Sequence, residues 1–166
     1  MSKCVFAGTF DPFTVGHQSI VAECEKRFEE VFIVIGENPD KTPLFPLSVR
    51  LSALKCLYAG NDKIKVVDYA EISDYADFLK VSGVSVYIRG IRSEKDLSYE
   101  RAAEKINEKL YPFIKTEYIS AADNYKSVSS TSVRKLISEG KDFSSFVPEK
   151  AANVYKEYIK KITNKR

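Results

Sequence analysis

The chain has one histidine in 166 residues and only three cysteines. Cys4, Cys24 and Cys56 are odd in number and share no metal-ligand spacing. They read as buried thiols in a reducing cytoplasm, and no metal site is expected. No stretch approaches the ~20 apolar residues that a membrane span requires. The opening MSKCVFAGTF holds no apolar segment long enough for a signal peptide, which also points to the cytoplasm. Neither a P-loop consensus nor a G-x-G-x-x-G occurs, so two common ways of cradling a phosphate are excluded. Internal repeats and low-complexity tracts are missing too. The net charge of +3 is too small to argue for nucleic acid. The ten Tyr and ten Phe are scattered rather than interleaved with a basic stripe.

What is present fits one globular domain over residues 1–166, with length enough for a sizeable core. Five short apolar runs, KCVFA, VFIVIG, IKVVDY, VSVYIRG and KTEYIS, have the length and β-branched content of buried strands. Helical patterns lie between them. Ile20, Cys24 and Phe28 fall four apart and share a face. Leu47, Leu51, Leu54 and Leu57 form a second stripe. DYADFLKVSG reads as a short helix closed by Gly83. DLSYERAAEKINEKL reads as a long polar helix with Leu97, Ala103, Ile106 and Leu110 on its apolar side. Strict alternation predicts an α/β fold, a Rossmann-like five-stranded parallel sheet with helices on both faces. A C-terminal helical extension follows. SSTSVRKLISEG is capped by serine and stopped by Gly140, PEKAANVYKEYIKKI begins at a proline, and KKITNKR reads as a fraying end.

In open α/β sheets, ligands bind beyond the carboxyl ends of the strands. The first run is followed by Gly8-Thr9-Phe10-Asp11-Pro12 and then Thr14-Val15-Gly16-His17. The second is followed by Glu37-Asn38-Pro39-Asp40-Lys41, the fourth by Arg89-Gly90-Ile91-Arg92, and the fifth by SAADNYKSVSSTS. An imidazole, a lysine, two arginines and a hydroxyl cluster would gather on one edge, where acidic residues are few. That edge suits phosphates. Strand, glycine, turn and helix present free backbone N–H groups and a positive dipole end, with His17 in the first helical turn.

GTFDPFTVGH resembles the T-x-G-H signature of the nucleotidyltransferase superfamily, and VSSTSVR resembles its second signature, I-S-S-T-x-V-R. YIRGIRSEKDLSYE is similar to a segment of one branch, the bacterial phosphopantetheine adenylyltransferase family. The three motifs come in order and cover nearly the whole chain. Many relatives have histidine where Thr14 stands, and threonine favours this branch. The resemblance implies transfer of AMP from ATP to 4′-phosphopantetheine, giving dephospho-coenzyme A and pyrophosphate in coenzyme A synthesis. It implies that His17 stabilises the pentacovalent α-phosphate and that Lys41 and Arg92 assist. Thr9, Lys41, Arg89 and Tyr75 would hold phosphopantetheine, with Ile72 nearly as good a choice as Tyr75. ATP would meet Thr9, Phe10, His17, Gly90, Ile91, Arg92, Glu100, Tyr125, Lys126, Ser127, Val128, Ser129, Ser130 and Thr131. Mg²⁺ would enter with ATP, dephospho-coenzyme A and coenzyme A would bind the same cleft, and the assembly would be a homohexamer.

The bare residues leave other roles open. Thr9 could shape a turn, Lys41 could be a solvated loop lysine, Glu100 could be solvated, and Ser130 could be a helix N-cap. Arg89 follows a buried-looking strand, where an unpaired charge is costly. Two segments depart from the family pattern. PLSVR keeps Arg50 but lacks two acids usual there, and AEISDYADF replaces the segment that covers the pantetheine arm. Two rivals remain at this point: a sibling enzyme acting on another phosphorylated acceptor such as nicotinate mononucleotide, and a non-catalytic nucleotide-binding module.

Overall fold

The computed structural model describes residues 2–165. Met1 and Arg166, the ends of the expected domain span and of the basic tail, lie outside the described residues. The five expected strands all form: β1 (Lys3–Gly8), β2 (Glu30–Ile35), β3 (Ile64–Asp68), β4 (Val84–Ile91) and β5 (Lys115–Ser120). They make one parallel sheet in the order β3-β2-β1-β4-β5. The order reverses between β1 and β4, so the loops leaving those two strands part and open a crevice at the sheet's carboxyl edge.

Strand alternation sorts the core into two layers. On one face, Cys4 and Phe6 of β1, Val31, Ile33 and Ile35 of β2 and Val86 and Ile88 of β4 pack with Ile20, Val21 and Cys24 of α1 (Val15–Arg27) and Leu54 of α2 (Leu47–Leu57). On the other, Val5, Phe32 and Val34 meet Leu79 of α3 (Tyr75–Val81) and Ile114. Val84 joins this second layer although it lies two residues before Val86. A register shift opposite Lys3 and Cys4 skips Ser85, and that bulge turns the start of β4 over.

The C-terminal extension builds a core of its own. Val128, Val133 of α5 (Ser130–Ser138), Phe143, Val147 and Ala151, Ala152 and Tyr155 of α6 (Glu149–Thr163) enclose Phe45 and Ala53. α2 is thus apolar on two sides, towards the sheet through Leu54 and towards α6 through Ala53.

Two sequence expectations change. Phe28 is buried, but α1 ends at Arg27 and Phe28 is its extended C-cap, so it joins the core from the turn. Cys4 and Cys24 are buried, whereas Cys56 is exposed, because it stands on the third side of α2, away from both cores. α4 (Glu94–Leu110) buries no residue fully, and Ile106 and Leu110 face outward at 60% and 58% exposure. Leu97 and Ala103 are half-buried, so this polar helix leaves its apolar side uncovered mainly towards its C-terminal end.

Gly90, at the end of β4, is required by close packing. A Cβ there would lie 2.5 Å from Ile20 Cδ1 and 3.7 Å from the Phe6 ring. Gly90→Ala should destabilise the fold by about 1–3 kcal/mol through overpacking. Ile20→Val removes the obstructing methyl, so the double variant should lose less than the sum of the two singles. Urea unfolding of the four proteins measures this, and strict additivity would refute the packing account.

Candidate active site

A cleft of about 820 Å³ opens where β1 and β4 diverge. The N-terminal ends of two helices border it, α1 through Thr14, Gly16 and His17 and α5 through Ser129, Ser130 and Thr131. A helix start leaves its first amides without intrahelical partners and carries the positive end of the helix dipole. Two such ends on one cleft favour a polyanion.

The capping of α1 sets the state of His17. Thr14 is the N-cap, and its hydroxyl accepts a hydrogen bond from the His17 amide at 3.3 Å. His17 Nδ1 in turn accepts from the Thr14 amide at 3.0 Å. An acceptor nitrogen carries no proton, so the neutral ring has its proton on Nε2, which this capping box leaves free. The ring lies among Phe6, Phe10 and Phe13, with centroids 5.1–6.2 Å away. Desolvation, aided by the nearby positive charge of Arg92, lowers the imidazole pKa from 6.5 to about 4. His17 is therefore a neutral hydrogen-bond donor at neutral pH.

Most of the cleft's cations are already engaged. Arg89 forms a 2.6 Å ion pair with Glu100 and lies 5.1 Å over the Tyr87 ring, while its buried Nε has no partner. Arg92 pairs with Asp96 and reaches the Val128 carbonyl at 3.4 Å. Lys41, on the exposed loop after β2, has no carboxylate partner among the described residues. The cleft is less free of acids than the sequence suggests, since Asp11, Glu37 and Glu100 all line it. Each is tied. Asp11 accepts from the Leu44 and Phe45 amides, Glu37 from Arg50, and Glu100 from Arg89.

The structure brings together Thr9, Phe10, His17, Lys41, Arg89, Gly90, Arg92, Glu100, Val128, Ser129, Ser130 and Thr131 on the cleft wall. It sets five other candidates back from it. Ile91 ends β4 within the sheet, opposite Ser120. Tyr125 closes a 3₁₀ turn and Lys126 pairs with Asp123, while Ser127 stands in the bend that follows. Tyr75, at the first turn of α3, packs against Tyr69, Phe78 and Tyr111, with Ile72 in the same apolar layer. Tyr87 is the tyrosine on the cleft wall, beside Phe6 and Phe10. The serine roles also shift by one. Ser129 caps α5, and Ser130 donates its hydroxyl to the Pro12 carbonyl at 2.7 Å.

Sequence reasoning gave no role to four residues that build the site: Asp11, Arg50, Arg134 and Tyr155. Arg134 donates to the Asp11 carbonyl and to Thr131 Oγ1, and Tyr155 Oη accepts from the Phe13 amide. Asp11 and Arg134 sit inside the two recognised motifs, which was the available signal.

The cytidylyltransferase-like family matches residues 5–136. The chain is 40% identical over 149 residues to a phosphopantetheine adenylyltransferase of Bacteroides thetaiotaomicron, covering 90% of this chain and 97% of that protein. It is 38% identical over the same length to the enzymes of that name from Phocaeicola vulgatus and Bacteroides fragilis, with the same coverage. A crystal structure from Vibrio parahaemolyticus, provisionally named a nicotinate-nucleotide adenylyltransferase, superposes with a TM-score of 0.64. It covers 93% of this chain and 91% of its own at 18% identity, and so speaks to the fold alone.

With one imidazole, titration is unambiguous. Nitrogen-detected NMR should show a pKa of about 4 for His17, with the proton on Nε2 above it. The unfolded ring binds a proton near pH 6.5 and the folded ring only near 4. The stability that His17 confers should thus be complete above pH 6.5 and fade as pH falls towards 4. A measured pKa near 6.5, or a proton on Nδ1, would contradict this geometry.

Proposed function

The chain belongs to the cytidylyltransferase-like family and, within it, to the phosphopantetheine adenylyltransferases, and from that premise we propose how its cleft transfers AMP from ATP to 4′-phosphopantetheine. The products are dephospho-coenzyme A and pyrophosphate, which makes the reaction a step of coenzyme A synthesis. The observation that carries the reading is His17 in the first turn of α1, with Nδ1 taken by the Thr14 amide and Nε2 left free, on a cleft that the start of α5 also borders.

The attacking group is a phosphate monoester with a second pKa near ~6, already ionised at neutral pH, so no general base is needed. The acceptor oxygen attacks the α-phosphorus in line, and the bond to the bridging oxygen of pyrophosphate breaks. Negative charge grows on the α-phosphoryl oxygens and on the leaving group. His17 donates its Nε2–H to an α-phosphoryl oxygen, and it binds more strongly as that charge grows. The acceptor phosphate lies by Thr9, Lys41 and Arg89. Arg92 and the start of α5, with Ser129, Ser130 and Thr131, hold the triphosphate. Gly90 borders the nucleotide through its main chain, since its missing Cβ would face Ile20 and Phe6. Glu100 acts through Arg89, its ion-pair partner, rather than on the nucleotide itself.

Magnesium belongs to the substrate in this scheme. No group of three potential ligands gathers among the described residues, and each cleft carboxylate already accepts from a protein donor. The metal would arrive on the triphosphate. The exposed Tyr99, Ile106 and Leu110 of α4 support a homo-oligomer that covers them, a hexamer by family resemblance. No described helix is long and apolar enough to cross a membrane, and a cytoplasmic place fits the reaction. Dephospho-coenzyme A, as product, and coenzyme A would occupy the same cleft.

Pyrophosphate release with Mg-ATP and a panel of acceptors tests the reading. 4′-Phosphopantetheine should be adenylylated, pantetheine should be inert and nicotinate mononucleotide should react poorly. Release with nicotinate mononucleotide alone would favour the sibling enzyme, and release with none a non-catalytic module. A separate expectation concerns His17→Ala. Its kcat should fall ~10²–10³-fold, with about 1 kcal/mol of stability lost along with the capping contact. A folded variant with wild-type turnover would remove His17 from the mechanism.

A further inference from the structure

Arg50, on α2, is fully buried although it is charged, and its guanidinium borders the cleft. Its bonds run in several directions. Nε donates to the Phe45 carbonyl at 2.9 Å. Nη1 donates to the Thr9 carbonyl at 2.8 Å and the Gly36 carbonyl at 3.2 Å. Nη2 donates to Glu37 Oε1 at 3.2 Å. The single carboxylate partner is 58% exposed, so the pair with Glu37 contributes little. The three carbonyls matter more. A buried guanidinium is tolerated only where its donors are satisfied, and here the backbone satisfies them.

Those carbonyls belong to the two loops that carry the acceptor groups. Thr9 leaves β1. Gly36 and Phe45 bracket the irregular loop that carries Lys41. Asp11 ties the far end of that loop through the Leu44 and Phe45 amides, and the Gly36 amide donates to the Gly8 carbonyl at 3.1 Å. Both ends of the Lys41 loop are thus fixed to the β1 loop, and Arg50 takes part at each end. We propose that Arg50 is a positioning residue for the acceptor end of the reaction: it sets the separation of Thr9 and Lys41 and touches neither substrate. The inference rests on the reading of the cleft given above. It adds that acceptor affinity, and not ATP affinity, depends on this buried fork. Lysine cannot replace it, because one ammonium nitrogen cannot reach three carbonyls that are shared between Nε and Nη1 of the guanidinium.

The test is steady-state kinetics of Arg50→Lys and Arg50→Met beside wild type, with melting curves for each. Turnover of 4′-phosphopantetheine by wild type first checks the functional reading itself. Given that turnover, both variants should raise the KM for phosphopantetheine tenfold or more and leave the KM for ATP within threefold. An unchanged acceptor KM in a folded variant would overturn the proposal, and so would equal rises for both substrates, the mark of a general structural role. If neither variant folds, or wild type gives no turnover, the wild-type Arg50 Nε–H signal decides by NMR. It should be protected from exchange and shift on adding phosphopantetheine but not on adding ATP. A rapidly exchanging signal, or one that responds to ATP alone, would refute the assignment.

Discussion

A buried loop is the constraint on which this structure depends. Phe10, Asp11, Phe13 and Thr14, between β1 and α1, are all almost inaccessible to water. A loop has no ladder or helix to satisfy its backbone, and buried unpaired polar groups are costly. Here the partners come from all over the chain. The Thr9 carbonyl takes Arg50, the Asp11 carbonyl takes Arg134, and the Pro12 carbonyl takes Ser130. The Phe13 amide reaches Tyr155, and the Thr14 amide reaches His17. The Asp11 carboxylate adds the Leu44 and Phe45 amides. The C-terminal helices are therefore part of the site. α5 supplies two of these contacts and α6 one, across a separation in sequence of more than a hundred residues. Deleting the extension would leave the Asp11 and Pro12 carbonyls and the Phe13 amide unpaired as well as opening the second core.

Placement of charge follows from the same economy of partners. The cleft must receive two polyanions, yet before they arrive its cations still need counter-charges. Arg89 and Arg92 have them in Glu100 and Asp96, and Arg50 is satisfied chiefly by carbonyls. Guanidinium groups held this way are preorganised, so little reorientation is needed when phosphate replaces solvent. Lys41 is the exception. It sits on an exposed loop where a lone ammonium is well hydrated, and from there it can move to an incoming phosphate.

How much of this was legible in the sequence depends on the range of the interaction. Strand and helix alternation is local, so all five strands and the helices between them could be read, and the carboxyl edge of the sheet followed from topology. The cleft positions in the two recognised motifs were readable for the same reason: Thr9, His17, Ser129 and Thr131 lie close to a strand end or a helix start. Long-range hydrogen bonds leave no periodic trace. Nothing in α6 marks Tyr155 as a partner of Phe13, and the burial of Arg50 runs against the usual place of a charge. Tyr75 was legible only as a residue whose segment follows a strand end. Chain continuity after the 3₁₀ turn at Tyr69–Glu71 carries it into an aromatic layer instead. The helical pattern of α4 was correct, and its uncovered Ile106 and Leu110 show that amphipathic spacing does not tell what lies against the apolar face.

The hydrogen bonds that start α1 also fix the chemistry. A capping box satisfies two orphan amides at a helix N-terminus and is ordinarily a folding device. Its third residue is usually Glu or Gln, and here it is His17. A carboxylate in that place would put negative charge on a cleft that two helix N-termini make favourable to anions. An amide could cap without presenting an imidazole N–H. Imidazole uses one nitrogen for the cap and leaves the other free, and the amide bond to Nδ1 decides which nitrogen holds the proton. The surrounding phenylalanines then keep the ring neutral, so Nε2–H is a donor that carries no full positive charge. Helix initiation, tautomer and protonation state thus rest on the Thr14–His17 pair, which explains why the chain's single histidine stands three residues after this threonine.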